Sequence, residues 1–179
     1  MTSRHRGPWV PGICATAHLV LGNRSAAEAE FTLMRATLTP LVGQYQAART
    51  EELHRLLAAF YRGEHESVVA FGAGLPPRFW TLSSFPVGRS LMELDRFNEA
   101  KGQLDTAWHS RLYFPGPGLF PEHSGLRTVL TEFYQGKLAE RQGRVDDARR
   151  WLRGFLRRFP ANGKTPPQVD EARRILSRL

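Results

Sequence analysis

At 179 residues and 20.3 kDa, with 41% hydrophobic and 23% charged residues, the chain is long enough to bury a core, and its composition excludes a disordered or fibrous protein. The formal net charge of +8 raises anionic partners, but residues 127–179 carry thirteen Lys/Arg against six Asp/Glu, a net +7, so only the last third is basic. The single cysteine, Cys14, excludes an internal disulfide, and no apolar run reaches the roughly 20 residues of a membrane span, so a cytoplasmic protein is expected.

Residues 1–8 read as a disordered tail. A signal peptide is rejected because Pro11 and Gly12 break the apolar patch that follows Arg4 and Arg6. A first helix is predicted over roughly 10–21, then a turn at Gly22 and a second helix with Ala27, Phe31, Met34 and Leu38 on one stripe. That helix is expected to end near Pro40, since the residue before a proline disfavours the α conformation. Residues 41–50 are then left as an insertion. The next helix is placed over roughly 50–62, with a turn at Gly63 and the first-turn carboxylates Glu64 and Glu66 behind it.

A third pair opens with a helix over roughly 82–94, turns at Asp95 and continues with Ala100, Leu104 and Ala107 to the neighbourhood of Pro115. A second insertion covers 113–125; its Tyr113, Phe114, Leu119 and Phe120 predict a loop packed down on the helices rather than a polar linker. The fourth pair runs over roughly 126–142, turns at Gly143, and carries Ala148, Leu152, Phe155, Leu156 and Phe159 toward Pro160. A last helix, Pro167 to Leu179, opens on a proline and aligns Val169, Ala172, Ile175, Leu176 and Leu179.

The turns repeat. Gly22, Gly63, Asp95 and Gly143 are each followed five residues later by a small or β-branched residue: Ala27, Val68, Ala100 and Ala148. Gly88 and Ala100 recur 48 residues on as Gly136 and Ala148. With Pro160 at the end of the best copy, this pattern resembles the tetratricopeptide repeat, a helix pair of about 34 residues with small residues at the helix crossing. The resemblance implies an all-α, right-handed solenoid of about four antiparallel helix pairs with a C-terminal capping helix, in one domain over 9–179. Of the turn spacings of 41, 32 and 48 only the middle one is near that period, which places insertions of about seven and fourteen residues between repeats. The segment Trp151 to Pro160, with Pro166-Pro167 and Glu171 to Leu176, is similar to the end of repeat regions in bacterial multidomain regulators, so the chain is expected to be a stand-alone repeat protein or the regulatory tail of a kinase or transcriptional regulator.

The resemblance also implies a protein-binding scaffold whose first helices line a groove for a peptide or partner. Repeat-equivalent positions there are Leu82 with Leu130, Phe85 with Phe133 and Arg89 with Lys137, followed by Met92 with Glu140 and Glu93 with Arg141. Arg89 and Lys137 would grip carboxylates and the phenylalanines would anchor. A basic stripe of Arg149, Arg153 and Arg157, with Arg150 and Arg158 beside it, reads as the solvated face of an amphipathic helix, the alternative being RNA or another anionic partner. No catalytic, metal or cofactor residue is assigned. His5, His18, His54, His65, His109 and His123 form no zinc-ligand spacing, Cys14 has only His18 one turn away, and Gly116 and Gly118 lack the Gly-Lys-Ser/Thr of a phosphate loop.

Overall fold

Gly22, Gly63, Asp95 and Gly143 all adopt positive φ, at 81°, 74°, 56° and 70°. This left-handed conformation ends a helix at little cost for glycine and is tolerated by aspartate. The same hydrogen bonds surround each of them in the computed structural model, which describes residues 7–76, 79–110, 121–159 and 165–179, with the main chain alone at 80, 81 and 121–127. The amide after the positive-φ residue reaches back to a carbonyl five residues earlier: Asn23 to His18, Glu64 to Ala59, Arg96 to Leu91 and Arg144 to Ala139, at 2.8–2.9 Å. The next helix then starts with Ala27, Val68, Ala100 and Ala148 donating to Asn23, Glu64, Arg96 and Arg144. Four helix hairpins thus share one main-chain solution, at the four places the sequence pattern marks.

The described residues form nine helices and no strand: α1 (Val10–Val20), α2 (Arg24–Val42), α3 (Gln44–Arg62), α4 (His65–Gly74), α5 (Trp80–Glu93), α6 (Phe97–His109), α7 (Pro121–Arg141), α8 (Val145–Leu156) and α9 (Pro167–Leu176). Successive helices pack on one another, and the odd-numbered ones also touch in sequence, α1 on α3, α3 on α5, α5 on α7 and α7 on α9. Close approach within a pair comes from missing side chains. A β-carbon at Gly88 would lie 2.9 Å from Leu104 Cγ, and one at Gly136 would lie 2.5 Å from Leu152 Cγ. Ala27, Ala100 and Ala148, opposite the turns, are fully buried.

Two expectations about element ends are corrected. The helix expected to stop near Pro40 continues to Val42, and the insertion expected over 41–50 is helical except for Gly43, which turns at a φ of 83° between α2 and α3. Near the end of a helix a proline removes one amide donor and leaves its φ compatible, so Pro40 costs α2 one hydrogen bond rather than its last turn. The extra residues of the first step are therefore absorbed as helix. In the 113–125 insertion, 121–125 begin α7, while 113–120, with the expected packing loop, lie outside the described residues, as do Pro160 and residues 1–6.

Burial divides the interior in two. Ala15, Leu19, Ala27, Phe31, Met34, Leu38, Ala47 and Ala58 form a cluster between α1, α2 and α3. A larger cluster runs from Leu53 and Leu56 of α3 to Val169 and Ile175 of α9. Cys14 is half-buried.

Candidate functional site

The candidate site residues Arg89 and Lys137 lie on odd-numbered helices, α5 and α7. Arg89, on α5, lays its guanidinium over two rings, 5.2 Å from the centre of Phe60 on α3 and 5.3 Å from that of Tyr134 on α7. Its Nε is buried without a hydrogen-bond partner, and Arg89 forms no ion pair among the described residues. Lys137 places Nζ 5.9 Å from the centre of the same ring and 5.6 Å from that of Phe133. Glu171 of α9 holds that ammonium at 2.7 Å. Arg89 and Lys137, paired in the sequence as repeat equivalents, therefore share one aromatic ring. The Tyr134 phenol is pushed above its ordinary range, chiefly by burial, with Glu93 and Glu171 adding to the effect and Arg89 opposing it.

The remaining groove residues divide. Leu82, Phe85, Met92 and Phe133 are 7%, 6%, 3% and 1% exposed, so they build the core and present nothing to a partner. Their helices bury them because α5 and α7 are covered by neighbours on more than one side, and a ladder of rings fills that space: Phe60 to Phe85 at 6.3 Å, Phe85 to Tyr134 at 5.7 Å, Tyr134 to Phe133 at 5.1 Å and Phe133 to Phe155 at 5.2 Å. The expected anchoring role of Phe85 and Phe133 is corrected on that ground. Leu130 is half-buried against the same core. Glu140 pairs with Arg178 at 3.5 Å, and Arg141 reaches Asp95 at 3.3 Å and lies over Phe97. Comparing repeats did not single out Phe60, Tyr134 or Glu171. The residue 48 positions before Tyr134 is Pro86, and Glu171 lies in α9, beyond the last of the recurring turns, so neither has an equivalent that would flag it.

The basic stripe is partly matched from within. Arg149 donates to the main-chain oxygen of Leu179 and lies 3.8 Å from Asp146; Arg150 meets Asp147 at 2.7 Å and covers Trp151. Arg158 turns inward, donating from Nε and Nη2 to the two oxygens of Glu132 at 2.6 Å each. Arg153 and Arg157 are exposed and make no ion pair among the described residues. Of the histidines, His54 is buried against Thr16, 2.9 Å from Nδ1, His65 meets Ser90 at 3.2 Å, and His109 Nδ1 lies 2.7 Å from the Asp105 carbonyl. His5 and the His123 side chain lie outside the described residues. No group of three or more His, Cys, Asp or Glu able to hold a metal ion occurs among the described residues, and no helix there is long and apolar enough to cross a membrane. No protein-family model, curated protein or solved structure matches the chain.

Proposed function

We propose that the chain is a tetratricopeptide-like protein-interaction module, built as a solenoid of four helix pairs and a cap, that holds a peptide or partner segment along α3, α5, α7 and α9. The observation that carries the reading is Arg89: a guanidinium over the rings of both Phe60 and Tyr134, in no ion pair among the described residues, with Lys137 near the same Tyr134 ring. An arginine held over two aromatic rings is already ordered, so a partner carboxylate meets it with little further loss of side-chain freedom. Lys137 is screened by Glu171 and acts as a secondary contact. The partner is therefore a protein segment with at least one acidic residue, and no catalytic step is assigned to the chain. A bacterial, cytoplasmic setting, alone or as the tail of a larger regulator, belongs to the same proposal.

RNA binding through the arginine-rich last third is the rival. The test is affinity capture with the full chain and with Arg89→Glu, each with and without nuclease. A protein retained by the unmodified chain through nuclease treatment and lost with Arg89→Glu is the expected result. A partner that disappears on nuclease treatment, or binds both chains equally, overturns the reading.

A further inference from the structure

Arg149 and Arg153 of α8 and Arg157, which caps its C-terminal end in a helical conformation, follow one another at four-residue steps, which sets them about 6 Å apart on one helix face. With Asp146, Arg150 and Leu176 of α9 they line a surface concavity of about 610 Å³. This face is turned away from the core, which α8 meets through Ala148, Leu152 and Phe155. Arg149 and Arg150 have acceptors within the chain, whereas Arg153 and Arg157 stand exposed, one turn apart and without an ion pair among the described residues. Two like charges at that spacing weaken a helix, so the helix gains nothing from the pair by itself. An anion placed between them removes the repulsion.

We propose that this concavity docks an acidic segment of a partner protein, with carboxylates one helical turn apart entering beside Arg153 and Arg157 and an apolar side chain resting on half-buried Leu176. Charge complementarity selects an anion, and three features select a carboxylate-bearing protein over a nucleic acid. Trp151, the aromatic residue between these arginines in sequence, is packed edge-on against Trp108 at 5.0 Å and covered by Arg150, so it is engaged within the chain rather than offered to a base. Asp146 and Asp147 lie at one end of the stripe, where a continuous phosphate strand would have to pass them, while separate carboxylates can dock clear of them. An apolar floor at Leu176 suits a side chain rather than a phosphate. The same helix end already shows the pairing in the fork of Arg158 on Glu132. The site is separate from the Arg89 row and does not depend on it.

The test measures fluorescence anisotropy of three labelled probes with the full chain. One is a helical peptide with Glu at i, i+4 and i+8 and a Leu on the same face, the second its Gln counterpart, the third a single-stranded oligouridylate. The Glu peptide is expected to bind and the Gln peptide not. Arg153→Glu with Arg157→Glu should weaken the Glu peptide on the order of tenfold or more and admit a Lys version of it, while Lys101→Gln on α6, where Lys101 pairs with Asp105, leaves it unchanged. Arg153→Gln with Arg157→Gln, which removes charge without reversing it, must shift binding in the same direction, so the result stands even if the reversed pair disturbs the helix. Equal affinity for both arginine pairs and the unmodified chain overturns the proposal. So does oligouridylate binding that exceeds peptide binding and requires the same two arginines.

Discussion

Leu152 occupies the space that a side chain at residue 136 would need, its Cγ 2.5 Å and its Cδ2 2.6 Å from where a β-carbon on Gly136 would sit. Gly102, in the middle of α6, has no atom within 4 Å of the equivalent position. Gly136→Ala is therefore expected to destabilise the fold by about 1–3 kcal/mol through overpacking. Gly102→Ala should stabilise it by about 0.5–1 kcal/mol, because a helical glycine surrenders more chain entropy than alanine. Urea midpoints of the two variants should move in opposite directions.

The crossing alanines test the same register from the second helices. Ala100 and Ala148 are fully buried at the starts of α6 and α8. Replacing either with Leu forces four heavy side-chain atoms where one fits and should cost on the order of 1–3 kcal/mol. Unchanged denaturation midpoints for both variants would mean that the paired helices do not cross at these residues.

His54 should make stability depend on pH. It is 1% exposed, and burial lowers its pKa from 6.5 to about 4. The folded chain holds the imidazole neutral while the unfolded chain protonates it near 6.5, so the stability associated with the neutral ring is complete above that pH. It is lost progressively as pH falls from 6.5 toward 4, by up to about 3 kcal/mol, and changes no further below. Thermal melts across that window should show the fall, and His54→Gln should flatten it. Parallel slopes for the two proteins would assign the fall to other groups.

Arg158 is half-exposed, but Glu132 beneath it is buried, and the two are joined by a pair of 2.6 Å hydrogen bonds. Arg158→Ala leaves a buried carboxylate unpaired and should cost about 1–3 kcal/mol. The double variant Arg158→Ala with Glu132→Gln should recover part of that loss, since a neutral amide is cheaper to leave in place. A double-mutant cycle by chemical denaturation checks both, and additive losses would show that the pair is not coupled.

The hairpins were legible in the chain because their requirements are local. A helix stop needs a residue that accepts positive φ, which Gly22, Gly63, Asp95 and Gly143 do, and a close crossing needs a small residue a fixed distance on, which Ala27, Ala100 and Ala148 supply. Both conditions involve residues within a few positions of one another. Pro40 shows where a local rule falls short: its ring weakens a helix without ending it, and the packing of α2 on α1 and α3 carries the chain on to Val42. The candidate site was half legible. Arg89 and Lys137 stood out as repeat equivalents, yet their role depends on Tyr134, Phe60 and Glu171, which arrive from three different helices. Periodicity says that Phe85 and Phe133 lie on an apolar stripe, and a stripe can face a core or a groove with the same spacing. Only the neighbouring helices decide which, by removing the side chain from water; they buried both phenylalanines, turned Arg158 onto Glu132, and left Arg153 and Arg157 facing outward.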